Sequence, residues 1–275
     1  MPTVKEIAKA IEDFAPRHLQ EDFDNAGLQV GDPDMEVKEI LVCLDVTEEI
    51  LDEAIAKQCN LIVTHHPLIF GGIKEITGRN LTQKIVIKAI KNDIAIYSAH
   101  TNLDNVWDGV SHQMAHELRL SNITTLEPKD GHDNVGLGVI GDVTPTPALE
   151  FLRNVKVTFN VKALKCNTDL PKVVIRKVAV CGGSGASLIK SAIKAEADII
   201  ITGDVKYHDF TTYANDIIIA DIGHYESELC TKKIFKRIIM LSYACIYVSW
   251  LWRKRNRRTS RRSSRRKNKI DILVS

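Results

Sequence analysis

Short unbroken apolar runs alternate along this chain with longer stretches whose apolar positions fall three and four apart, the signatures of buried strand and amphipathic helix. Residues 39–44 (EILVCL) form the first strand-type run. Thr47 then stands where a helix N-cap would, with Glu48 and Glu49 at the positive end of the helix dipole and Ile50, Leu51, Ala54 and Ile55 on one face. A second strand-type run at 60–64 (NLIVT) ends in His65 and His66. Strand, helix, strand in this order predicts a βαβ unit. Ahead of it, Val4, Ile7, Ile11 and Phe14 share one face of a charged N-terminal helix. A signal peptide needs an unbroken apolar core, so no export signal is expected.

The same order returns 138 residues later. A strand-type run at 178–181, a Gly-rich turn, a helix at 188–195 and a strand at 198–202 end at Gly203 and Asp204. Laid side by side without gaps, residues 38–66 and 176–204 share six identities, among them Ala54 and Ile55 against Ala192 and Ile193. Each unit is followed by another apolar run: 94–99 leads into His100-x-x-x-Asp104, and 217–222 leads through Gly223 into His224-x-x-x-Glu228. Parallel α/β sheets bind ligands at the carboxyl ends of their strands, so two facing halves would gather these groups in one cleft. Ser, Asn, Pro, Asp and Gly cluster at 121–135, which divides the chain into an N-terminal α/β domain (1–126, with His65, His66 and Asp104) and a C-terminal one (127–240, with His224 and Glu228).

Adjacent histidines at a strand end point in different directions and can serve two ions. Neutral imidazole suits Zn, Fe, Mn or Ni, and a carboxylate can bridge two ions, the role expected of Glu228. His224 and Glu228 would share one face of a helix. Either pair alone is equally well a capped turn or a solvated surface pair; their placement at duplicated strand ends is what points to metal. His100 is a candidate catalytic acid or base, a further ligand, or a residue orienting Asp104. Asp204 and His208 fall either beside the site or on plain surface, and His18, His112, His116 and His132 read as surface residues. The glycines at 182, 183 and 185 stand where backbone amides can hold phosphate, or where they let a helix pack closely.

Charge alters the picture at one end. Of the 37 Lys and Arg, eleven fall within residues 253–269, and all but one of the 35 acidic residues (Asp271) precede that tail, so the body carries a net charge of about −8. An acidic body repels phosphate backbones, which confines any nucleic-acid contact to the basic tail. The apolar run at 238–252 is short for a membrane span, so none is expected, and residues 241–275 read as an anomalous apolar segment with a disordered or aberrant Arg/Ser-rich tail, although 243–249 could form a closing strand. The six cysteines lack any C-x-x-C pair and read as free thiols in a reducing cytoplasm.

Five stretches carry a resemblance: FDNAGLQVG (23–31), THHP (64–67), HTNLD (100–104), TGDVKYH (202–208) and GHYESE (223–228). In this order they are similar to the GTP cyclohydrolase 1 type 2 homologue family, also called the Nif-three-like dinuclear metal centre proteins, over the chain to about residue 238. The resemblance implies an α/β fold of two interlinked domains with a dinuclear site in the cleft between them. It also implies two divalent ions held by His65, His66, Asp104, His224 and Glu228, and a homohexameric ring. The activity it suggests is hydrolysis of a nucleotide-like substrate through a water held between the ions, with a non-enzymatic metal carrier or regulatory scaffold as the alternative.

Overall fold

A computed structural model describes residues 1–129, 131–167, 173–243, 246–249 and 270–274. By contact the chain forms two compact units, residues 1–102 with 232–275, and residues 103–231. The division thus falls ahead of the Ser/Asn/Pro-rich stretch, because residues 121–129 and 132–147 form a long antiparallel ribbon within the second unit. Asp104 accordingly belongs to that unit.

Unit 1 opens with α1 (Val4–Phe14), β1 (Gly27–Val30), β2 (Glu39–Cys43), α2 (Glu48–Ala56), β3 (Leu61–Thr64), α3 (Leu81–Lys91) and β4 (Ala95–Ser98). Thr47 caps α2 as its sequence suggests, its side chain accepting from the Ile50 amide. β2, β3 and β4 pair in parallel, and β1 runs antiparallel to β4. β3 and β4 are buried throughout, as parallel strands covered on both faces must be. Leu41, Ile62 and Ile96 pack with Leu51, Ala54, Ile85 and Ala89 in one core that fixes the carboxyl ends of the strands.

The short α4 (Thr101–Asp104) leads into unit 2: α5 (Val110–Glu117), β5 (Ser121–Lys129), β6 (His132–Pro147), α6 (Ala148–Thr158), β7 (Lys165–Cys166), β8 (Val174–Ser184), α7 (Ile189–Lys194), β9 (Ile199–Gly203), α8 (Tyr207–Thr212), β10 (Ile218–Asp221) and α9 (His224–Glu228). Its sheet runs β5-β6-β8-β9-β10-β7, with β8, β9 and β10 parallel and β7 antiparallel at the edge beyond β10. Unit 1 has the same arrangement in β2, β3, β4 and β1. The gapless repeat is also the structural register: Ile40, Leu41 and Val42 pair with Leu61, Ile62 and Val63, as Val178, Ala179 and Val180 pair with Ile199, Ile200 and Ile201.

The chain then returns to unit 1 as α10 (Thr231–Ser242), whose Ile234, Phe235 and Ile239 are buried and whose Arg237 lies over the Phe14 ring. β11 (Ile246–Ser249) and β12 (Ile270–Val274) complete the first sheet, in the order β1-β4-β3-β2-β12-β11. Residues 246–249 form the closing strand the sequence allowed. Residues 270–274, read from sequence as part of an unstructured tail, instead pair in parallel with β2. The basic run at 253–269 lies outside the described residues. Among the described residues no helix is long and apolar enough to cross a membrane.

Candidate metal centre

In unit 1 the strand ends gather three imidazoles. His65 and His66 follow β3 and His100 follows β4, with ring centroids 5.1–5.5 Å apart, and one nitrogen from each lies within 4.8 Å of the others. Each ring is oriented by an oxygen at Nδ1. His65 Nδ1 donates to the Ala99 carbonyl at 2.8 Å, His66 Nδ1 to Asp45 Oδ1 at 2.7 Å and His100 Nδ1 to Asp24 Oδ1 at 2.8 Å. An acceptor at Nδ1 fixes the tautomer and directs the Nε2 lone pair away, the arrangement in which imidazole ligates a metal.

Asp24 is itself held. Its second oxygen accepts from the Thr101 amide at 2.9 Å and from the Thr101 hydroxyl. Hydrogen bonds from His100 and Thr101 outweigh the burial of this carboxyl and hold it well below the usual carboxylate range. Residues 23–31 therefore do more than turn the chain: Asp24 fixes the His100 ring, while β1 supplies a sheet edge.

In unit 2, α9 starts after Ile222 and Gly223, which follow β10, and places His224 and Glu228 on one face, Nε2 to Oε2 at 3.0 Å. His224 Nδ1 donates to Asp204 Oδ2 at 2.7 Å. Two carboxylates on one ring, Glu228 foremost, push the His224 pKa up to about 9. A cation seated at Nε2 would replace the proton between His224 and Glu228, so this pair fits a metal as the unit 1 histidines do. The Cys181 thiol is pushed up to about 12 by burial, then by the charges of Asp104 and Glu228.

Backbone geometry holds Glu228 in place. Gly183 has φ +61°, and a Cβ there would collide with Glu228 Oε1. Gly203, at the position matching His65 in the repeat, leaves no room either, since its Cβ would stand 2.7 Å from the His224 amide nitrogen. The glycine turn is no phosphate loop. The amides of Gly182, Gly183 and Gly185 already donate to the hydroxyls of Ser111, Ser227 and Thr202.

The structure thus brings His65, His66 and His100 together in unit 1 and His224 and Glu228 together in unit 2, and it places Asp104 in unit 2. Asp204 orients His224, whereas His208 is exposed and rests against Tyr207. His18, His116 and His132 are exposed as expected, but His112 is buried, at 4% exposure, against Trp107. Sequence reading missed Asp24 and Asp45, each far in sequence from the imidazole it orients. Of the described cysteines, Cys43, Cys59, Cys181 and Cys230 are buried and Cys166 is exposed.

Two α/β sheets ending in oriented histidines and carboxylates define an α/β protein with a potential metal site. Residues 2–246 match the family described as Duf34/NIF3 (NGG1p interacting factor 3), and the chain belongs to that family. It is 40% identical over 228 residues to a Clostridium acetobutylicum protein named GTP cyclohydrolase 1 type 2 homolog, covering 82% of this chain and 85% of that one. A Clostridium perfringens protein of the same name is 39% identical over 227 residues, covering 82% and 86%. A crystal structure of a Bacillus cereus protein related to NIF3 superposes with a TM-score of 0.79 at 28% identity, covering 88% of this chain and 92% of that one.

Proposed function

We propose that this protein binds two divalent ions through His65, His66, Asp104, His224 and Glu228, with Glu228 as the bridging ligand, and that it hydrolyses a nucleotide-like substrate. The observation that carries the reading is the shared orientation of the imidazoles. His65, His66 and His100 each give Nδ1 to an oxygen while their nitrogens group within 4.8 Å. Side chains that served only packing would have no reason to share that polarity. When bound, the ions would lower the pKa of water and polarise the bond under attack. His100, anchored by Asp24, would hold or move a proton beside them. The names of the clostridial relatives support a nucleotide-like substrate. A hexameric ring in the cytoplasm belongs to the same reading.

Elemental analysis of the purified full chain is expected to give two ions per chain, falling in His65→Ala and Glu228→Gln variants. The metal-loaded protein is then incubated with GTP and other nucleoside phosphates against His65→Ala. Turnover absent from that control supports the hydrolase. Bound metal without turnover would leave the carrier role, and no retained metal would overturn both. Light scattering checks the hexamer.

A further inference from the structure

Next to the three histidines of unit 1 stand two aromatic side chains that the fold leaves uncovered. Phe23 is 64% exposed and Phe70 is 52% exposed. Their ring centroids are 6.2 Å apart, and Phe70 stands edge-on to His100, also at 6.2 Å.

Both rings are positioned by polar clamps between their loops. Asn25 Nδ2 donates to the Ile69 carbonyl at 2.6 Å, and Gln29 Oε1 accepts from the Ile69 amide at 2.9 Å. These two bonds tie the loop of Phe23 to the loop of Phe70, and Gln29 Nε2 braces the first loop by reaching back to the Asn25 carbonyl at 2.7 Å. Beyond Phe70 the chain is open, since a Cβ at Gly71 or Gly72 would meet nothing within 4 Å. An apolar pair held in place yet left in water, in contact with a candidate catalytic imidazole, has the character of a binding surface.

We propose that Phe23 and Phe70 form a stacking platform for a planar heteroaromatic ring of nucleobase type, which presents the remainder of that ligand to His100 and its neighbours. Aromatic faces stack with any planar π-system and favour an offset arrangement. The ring does not enter between the two phenylalanines: insertion needs roughly 7 Å, twice a carbon contact, and 6.2 Å is too close. It lies on the outer face of the pair. The proposal rests on the nucleotide-like substrate put forward above and assigns that ligand's base to two residues.

The test is calorimetric titration of the full chain with guanosine 5′-monophosphate and with ribose 5-phosphate, in the presence of Mn²⁺ and after chelation. The nucleotide should bind at least tenfold more tightly than the sugar phosphate. Phe70→Ala and Phe23→Ala should each lose about tenfold in nucleotide affinity only, Phe70→Trp should restore it, and metal content should match wild type in all three. Equal affinity for the two ligands, or no change in either alanine variant, overturns the platform. So does a change in molecular mass by light scattering at unchanged nucleotide affinity, which would make the pair a contact between copies. Base preference that survives in a protein holding no metal supports the platform while removing the metal reading, so the two proposals fail separately.

Discussion

Asp24 grips His100 across 76 residues of sequence, one carboxylate oxygen on the ring nitrogen and the other on Thr101. The fold places a loop ahead of β1 so that it fixes the ring following β4. Asp24→Asn is expected to lose about 2 kcal/mol at neutral pH, because a buried charge-assisted network is broken. The carboxyl is held below its ordinary 3.8 in the folded chain, so its contribution is present above that pH and fades as pH falls through and below it. Denaturation of both proteins between pH 7 and pH 3 checks this: the gap should narrow on acidification, and a constant gap would contradict the assignment.

His112 supplies a second pH dependence. Burial lowers its pKa to about 4, Asp108 pulling the other way and His116 adding to the depression. The unfolded chain takes up a proton near 6.5 that the folded chain refuses until about 4, so stability falls as pH drops across that window, by up to about 3 kcal/mol. His112→Phe should flatten the slope between pH 6.5 and 4. A slope identical to wild type would show that His112 titrates normally.

Gly183→Ala tests the support of Glu228. A methyl group there strains a backbone at φ +61° and displaces the carboxylate, so bound metal should weaken by about tenfold or more, with a stability loss of about 1 kcal/mol. Gly71→Ala, where the methyl meets open space, is the control and should match wild type in elemental analysis and melting.

Thr64 and Thr202 occupy equivalent register positions, and each buried hydroxyl donates to a carbonyl at the end of the neighbouring strand, Leu44 just past β2 at 2.8 Å and Gly183 within β8 at 3.0 Å. Thr202 also accepts from the Gly185 amide at 2.8 Å. Thr64→Val should cost about 1 kcal/mol and Thr202→Val about 2–3 kcal/mol, since the latter strands a buried N–H as well. Urea denaturation of the two variants checks the order.

The βαβ units were legible because their runs are long, apolar and bounded by caps, and the identities at Ala54, Ile55, Ala192 and Ile193 lie on equivalent turns of α2 and α7. The histidines could be picked out because strand ends have a sequence signature. Their orienting partners could not. Asp45 lies 21 residues from His66 and Asp24 lies 76 from His100, separations that only the sheet order converts into contact. The glycines at 182–185 show the converse: the motif suits an anion, but which acceptor the amides find depends on hydroxyls from Ser111, Thr202 and Ser227. His112 was misjudged because its polar neighbours in sequence gave no hint that Trp107 would cover it.

The pairing of residues 270–274 with β2 has a consequence for biogenesis. On the ribosome, residues 103–231 can reach their full set of strands before residues 270–274 have been added. Residues 1–102 emerge earlier yet wait longer, with one side of β2 left unpaired until residues 270–274 follow. Of the two units, the one begun earlier is thus the one closed later.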